Sequence, residues 1–440
     1  ASPGICQPVH TRALTLLLGG SMSTSETTRG STRAAMQSPT VRGAAYVAIG
    51  LGVGQALAYL LSLAAARSLG PEDYGIFGSM LAIMLVGSVL ALGIQAAGAK
   101  RIVLDPVATR STVGLGVLHF ALWSGVAVAA ATALVSPLIS SLLHLDGLVT
   151  VLLVAANLAP ITWMGGLLGV SQGRERNARL ALSYAIMGVG RAIGGIAAVI
   201  LTKSIVTTLT AMAIGTFIAF GICWLLASPL VAKPPKRLAG FRIDVVHATH
   251  ALFALFVLTN LDVLLARHYL PATQAGMYAA GAVVTKIAFW LPQFVAMVAY
   301  PRLADHRRAE TLTKGAAAVI GIGVIATGFV ALFPSFVVTF IGGSAYEELV
   351  SEVWIFAAIG SAFGLAQFLL YGQIAASKRA AIAALWVAAA TLVVLVSIFH
   401  SSVLQIAVIV LLIASMLAIV GVIELLFERR SEAKEIARVG

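Results

Sequence analysis

From about residue 43 to about residue 427 the chain alternates apolar runs of roughly 20 or more residues with short polar breaks. That pattern leaves few folds open. A bilayer core about 30 Å thick demands roughly 20 apolar residues per helical crossing, and in hydrocarbon every backbone polar group must be paired within the protein. Twelve runs meet this length, at 43–66, 74–98, 113–135, 148–171, 180–202, 206–231, 245–266, 274–300, 315–340, 350–375, 380–399 and 403–427. The expected fold class is an all-α integral membrane protein. The composition agrees, with 60% hydrophobic and 10% charged residues and a mean hydropathy of +0.98, against about 45–50% and about 25% in soluble domains. Soluble enzymes, disordered proteins and nucleic-acid readers do not fit.

The formal net charge of +12 is explained by sidedness rather than by a nucleic-acid partner. Cations crowd the N-terminal stretch, the even-numbered breaks (Lys100 and Arg101, Arg174 and Arg176, Lys236 and Arg237, Arg307 and Arg308, Lys378 and Arg379) and the C-terminal stretch. The odd-numbered breaks hold only Arg67, Lys203 and Arg267. By the positive-inside rule both termini are expected in the cytoplasm. The external breaks are then short, leaving no room for a projecting catalytic domain. Residues 1–42 include a Ser/Thr-rich stretch expected to be a disordered cytoplasmic tail. Its short apolar run from Ala13 neither spans nor ends in a cleavage site, and Met22 is a candidate start. Cys6 and Cys223 support neither a disulfide framework nor a metal site, and the eight histidines lack ligand spacing.

The two halves of the chain repeat. ARSLGPEDYGIFGSM from Ala66 matches ARHYLPATQAGMYAAG from Ala266, pairing Arg67 with Arg267 and Gly75-Ile76-Phe77 with Gly276-Met277-Tyr278. The same offset pairs Arg101 with Arg302. Because each half holds an even number of crossings, the expected architecture is two six-helix lobes related by a pseudo-two-fold axis along the membrane normal. The N-lobe is read as 43–231, the inter-lobe linker as 232–244 with Pro234-Pro235, the C-lobe as 245–427 and the cytoplasmic C-terminal tail as 428–440.

The segments LGPEDYG, NLDVLLARHYLPATQAGMYAAG and LPQFVAMVAYPRLAD resemble the polysaccharide-transporter branch of the multidrug/oligosaccharidyl-lipid/polysaccharide flippase superfamily, which includes Wzx-type O-antigen flippases. The likeness runs over nearly the whole chain from about residue 43. Lipid II flippases of that superfamily usually carry two further helices, which are not found here. The resemblance implies export of a polyprenyl-pyrophosphate-linked saccharide across a bacterial cytoplasmic membrane, with membrane lipids and polysaccharide assembly enzymes as partners. It implies no cofactor; a proton or sodium gradient is a candidate driving force.

Ionisable groups at membrane depth usually face a cavity or a partner. Arg191 in the fifth run and Lys286 in the eighth place one cation in each lobe, suited to hold a pyrophosphate as a planar fork and a mobile point charge; the alternative is that each fixes lobe packing. Asp262 is a candidate coupling site, or a gate partner for a cation such as Arg67, or a local partner for Arg267 or His268. Arg67, Arg267, Glu72 and Asp73 are candidates for an external gate, or are solvated surface charges. Arg101 and Arg302 are candidates for a cytoplasmic mouth, or are lipid-surface anchors. Asn260 and Trp290 are candidate sugar contacts, and Gln95 and Gln367 either bond sugar or join helices. Gly165 with Gly169 and Gly190 with Gly194 have the spacing of helix-packing faces. Two other functions remain open: a cation-coupled multidrug exporter of the same superfamily, and a membrane glycosyltransferase using Glu72 or Asp73.

Overall fold

The computed structural model describes residues 39–106, 110–227, 238–292, 308–375 and 379–439. Among these residues all regular structure is helical: α1 Pro39–Leu104, α2 Arg110–Leu134, α3 Ser136–Leu142, α4 Val149–Gly173, α5 Asn177–Thr202, α6 Ile205–Ala227, α7 Phe241–Tyr269, α8 Ala272–Trp290, α9 Arg308–Leu332, α10 Pro334–Ile341, a 3-10 segment Gly343–Ser351, α11 Val353–Ala375, α12 Arg379–Ile398 and α13 Val403–Val439. Ten helices among the described residues are long and apolar enough to cross a membrane. The expected twelve crossings differ from ten for two local reasons. The first two runs form one continuous helix bent at Gly70. The eighth run is described only to residue 292, and its 19-residue helix Ala272–Trp290 is not among the ten.

The bend in α1 follows from its sequence. Gly70 takes φ 76°, ψ 172°, and Pro71 cannot donate a hydrogen bond back across the bend. Pro71 then opens the second arm, where a missing N–H costs nothing, and Glu72 and Asp73 complement the positive end of that arm. The repeat uses the same device: Leu270 is extended at φ −88°, ψ 154°, and Pro271 caps α8.

Two expectations about span ends are corrected. The ninth run does not continue to 340: α9 stops at Leu332, Phe333 turns, and Pro334 starts the separate helix α10. The break at 136–147 is not plain loop but contains α3. These short helices occupy equivalent places in the two halves, an offset of about 200 apart, as the repeat requires.

Within the first lobe α1 packs on α4 and α5, α2 on α4, and α5 and α4 on α6. In the second, α11 gathers α8, α9 and α13, and α7 packs on α12. The lobes meet where α1 lies against α7 and α8. Repeat mates touch at this junction: a methyl on Gly75 would lie 3.0 Å from the Gly276 nitrogen, so the pseudo-two-fold axis passes between α1 and α8 there. The small-residue faces are packing faces as expected, with Gly190 against Gly215, Gly194 against Ala211, Gly165 against Ala91 and Gly169 against Gln95.

The α4 face supports a stability prediction. A Cβ at Gly165 runs into the Ala91 backbone, and backbone cannot rotate away as a side chain can. Gly165→Leu is expected to destabilise the protein by about 1–3 kcal/mol, the usual cost of overpacking. Gly52, which has nothing within 4 Å of its Cβ position, should tolerate leucine. Thermal unfolding of both variants in detergent is the check; equal midpoints would contradict the close α1–α4 contact.

Candidate functional site

Between the lobes, at the level of the middle of α5 and α7, lies a cavity of about 130 Å³. Arg191 and Lys286 both line it, one from each lobe. The first arm of α1 contributes Gln55, Tyr59 and Ser62, the second arm Met84 and Ser88, α7 Phe256, Thr259 and Asn260, and α8 Phe289 and Trp290. Arg191, Lys286, Asn260 and Trp290 are therefore brought together in one space.

The wall follows from helical spacing. Leu81, Met84, Leu85 and Ser88 stand three or four residues apart, so one stripe of α1 faces the cavity. Each cation lies on the inward stripe of its own helix, with its charged end partly open to the cavity. Among the described residues neither cation makes a side-chain hydrogen bond or ion pair. A cation held at membrane depth without a protein counter-ion in contact is a site for an anion from elsewhere.

Asp262 sits one layer behind. It is 3% exposed, accepts a hydrogen bond from the Tyr278 hydroxyl at 3.0 Å, and leaves its other oxygen without a partner. It acts on Lys286 through space, beyond ion-pair distance. The expected pairings with Arg67, Arg267 or His268 are not made. The physical reason is depth: α7 continues to Tyr269, so Asp262 lies about two turns inside the helix end and turns toward α8. Asn260 also carries an unpartnered buried acceptor, while its amide donates to the Phe256 carbonyl at 2.9 Å.

The face that carries Arg67 and Arg267 is closed by contacts across the lobes. Arg67 donates to the carbonyls of Phe340 at 2.8 Å and Thr339 at 3.3 Å, at the end of α10, and its guanidinium lies 5.7 Å from the Phe340 ring centre. Arg267 donates through Nε to the Leu143 carbonyl at 3.1 Å, the C-cap of α3. Each repeat-related arginine thus caps the short helix of the opposite lobe, where exposed carbonyls and the helix dipole favour a cation. His268 reaches the Leu142 carbonyl, and its ring stacks on His144 of the first lobe. Tyr346 donates to the Ala66 carbonyl at 3.2 Å; burial holds its phenol well above its ordinary pKa, so it remains a neutral donor. The expected gate of paired opposite charges takes a different form: Glu72 and Asp73 are exposed and act on Arg267 only through space, while backbone carbonyls do the pairing.

Other candidates stand apart from the cavity. Arg101 pairs with Asp105 one turn on, at 3.9 Å, in a half-exposed pair. Arg302 lies outside the described residues. Gln95 bonds Gln172 at 2.8 Å and Tyr184 at 2.7 Å, joining helices. Gln367 is buried and engaged within the protein. Tyr59 and Tyr278 were not among the sequence candidates. Tyr59 donates to the Lys286 backbone carbonyl at 3.2 Å, linking the lobes beside the cation. The only signal either gave was a hydroxyl within an apolar run.

Residues 40–307 match the family model described as polysaccharide biosynthesis protein. The chain belongs to that family. No curated protein sequence matches it. In fold it is similar to a multidrug resistance MATE family transporter of the MOP superfamily in an inward-facing conformation, at 12% identity and TM-score 0.71 over 88% of this chain and 99% of the other. It is also similar to the lipid II flippase MurJ in an inward closed conformation, at 12% identity and TM-score 0.68 over 89% of this chain and 87% of the other. A third likeness is to a MOP superfamily transporter from Pyrococcus furiosus described by a reverse polarity of its binding pocket, at 15% identity and TM-score 0.59 over 92% and 99%. The polysaccharide biosynthesis family member described here therefore has the two-lobed MOP transporter fold and is a multi-pass membrane protein.

Proposed function

We propose that this protein is a flippase that moves a polyprenyl-pyrophosphate-linked oligosaccharide across the bacterial cytoplasmic membrane for cell-envelope polysaccharide synthesis. The observation that carries the reading is the shared cavity in which Arg191 and Lys286, from opposite lobes, have no anionic partner in contact. The pyrophosphate would lie between them. The free Asn260 acceptor and the Trp290 ring would meet the first sugar. Both termini would be cytoplasmic, as the cation distribution favours, and the face closed by Arg67 and Arg267 would then be the outer one. At about 130 Å³ the cavity is smaller than the roughly 300–1,000 Å³ typical of ligand sites, so the lobes must part for a head group to enter. Rocking about the α1–α8 contact supplies alternating access. Asp262, with one free oxygen and Lys286 nearby, would carry the coupling proton or sodium ion. The chain would work as a transporter without a catalytic step, beside the enzymes that assemble the glycan.

The test is translocation of a fluorescent polyprenyl-pyrophosphate oligosaccharide in proteoliposomes, with and without a proton or sodium gradient. The wild type is expected to flip the lipid, and Asp262→Asn to lose any gradient dependence. Export of cationic dyes without lipid flipping would establish the drug-exporter reading instead, and sugar transfer that is lost in Glu72→Ala/Asp73→Ala would establish the glycosyltransferase one.

A further inference from the structure

We propose that the seam between α7 and the second arm of α1 is the lateral opening of this transporter, and that a groove on its lipid side seats the isoprenoid chain of a lipid whose phosphate head lies in the cationic cavity. The inference rests on the flippase reading and adds the path of the chain to it. The groove has a volume of about 560 Å³, within the range of ligand sites. Its walls are aliphatic, from Ile83, Val86, Leu158, Val257, Leu261 and Leu264, with polar groups at its margins. No charged side chain lines it.

The groove and the cavity are two sides of one partition. On α1, Met84, Leu85 and Ser88 face the cavity while Ile83, Val86 and Gly87 face the groove. On α7, Thr259 and Asn260 face the cavity while Val257 and Leu261 face the groove. The alternation on the same turns is what a helix between two spaces must show. Because α1 and α7 belong to different lobes, this partition is a seam, and any separation of the lobes along it joins the cationic space to the hydrocarbon space. A head group could then leave the cavity sideways without pulling its chain through a polar passage.

The closure at the Arg267 face is built into the end of the same groove. Leu142, Leu143 and His268 line it, and they are the residues through which Arg267 and His268 hold the first lobe. Releasing those bonds frees the groove's end and the seam together. The other junction, between α1 and α8, is filled instead: Tyr346 is 1% exposed, bonds the Ala66 carbonyl and packs edge-on against the buried Tyr74 ring. Within a bilayer a chain gains no hydrophobic energy by leaving lipid for protein, so its position must be fixed by packing in a preformed groove. That requirement is met at one seam and blocked by aromatic side chains at the other.

The experiment labels the wild-type protein in proteoliposomes with polyprenyl monophosphate carrying a diazirine on its isoprenoid chain, and maps the adducts by mass spectrometry. Phosphatidylglycerol with a diazirine on its acyl chain is the parallel probe. Polyprenyl adducts are expected to concentrate several-fold on Ile83, Val86, Leu261 and Leu264 over the lipid-facing Ile325, to fall on addition of inorganic pyrophosphate, and to be lost in Leu264→Trp, which fills the groove. Adducts at Tyr346 and Phe336, adducts in the groove that pyrophosphate leaves unchanged, or equal labelling of the groove by phosphatidylglycerol would each overturn the inference while leaving the flippase reading intact. Polyprenyl labelling no higher than that of phosphatidylglycerol anywhere, with no flipping by the wild type, would overturn both.

Discussion

Arg191→Met and Lys286→Met are each expected to abolish lipid-linked saccharide translocation while leaving the protein as stable as the wild type, or more so. The two halves of that expectation come from the same geometry. Neither cation has a contacting counter-ion among the described residues, so removing one breaks no bond within the protein. It also removes a charge that costs roughly 2.5–3.5 kcal/mol at the centre of a membrane helix. Replacing a buried charge by an apolar side chain of similar length is then neutral or stabilising. Transport should respond in the opposite sense. Loss of one partner from a desolvated charge pair costs about 2–5 kcal/mol, which is about 30-fold to several-thousand-fold in affinity. Lys286→Arg should recover part of the activity because the charge remains, and Arg191→Lys less, because the planar fork that holds two phosphate oxygens is lost. Parallel measurements of thermal unfolding and flipping decide the matter. Variants that unfold early would assign the cations to packing, and stable variants that still flip the lipid would remove them from the mechanism.

The spans, the repeat and the break at Gly70-Pro71 were legible in the sequence because each rests on local chemistry: hydrocarbon thickness, a residue offset, and the backbone limits of glycine and proline. The presence of one mid-membrane cation per lobe was legible too. What could not be read was helix rotation, and with it the fact that Arg191 and Lys286 share a space. Hydropathy in α5 and α8 is nearly uniform around the helix, since one side meets lipid and the other meets protein. Asp262 was placed too near the surface because the run was taken to end at 266, whereas α7 continues to Tyr269. Helix α10 was merged with the ninth span for a related reason: Phe333-Pro334 interrupts an unbroken apolar run, so only the backbone reveals the turn. Tyr59 and Tyr278 left no periodic signal. The arginine caps were hidden most completely, because their partners are the carbonyls of Leu143, Thr339 and Phe340, and a carbonyl is present at every residue.

Those caps carry the second large effect. Arg67→Ala/Arg267→Ala is expected to open the face they close. A hydrogen bond to a charged group contributes about 1.5–3 kcal/mol, so losing both locks shifts the balance between closed and open states by about 3–6 kcal/mol, at least about 100-fold. Either single variant keeps one lock and should shift it by roughly half as much in free energy. Gly276→Val reaches the same state by a different route, leaving both arginines in place. Its Cβ would run into the Pro71 carbonyl, and since Gly276 meets Gly75 at the pseudo-two-fold junction, neither helix can yield without parting the lobes. The readout is a single cysteine in the cavity wall, Ser88→Cys, in a protein with Cys6 and Cys223 replaced by alanine. A membrane-impermeant maleimide added to the outer side should label it slowly in the otherwise unchanged protein and much faster in both the arginine pair and Gly276→Val. Faster labelling in the glycine variant alone would make the arginines bystanders to a closure held by helix packing. Unchanged labelling in all of them would mean that this face is not the one that opens. Labelling from the opposite side should fall in step, because a two-state rocking of the lobes cannot open one face without closing the other.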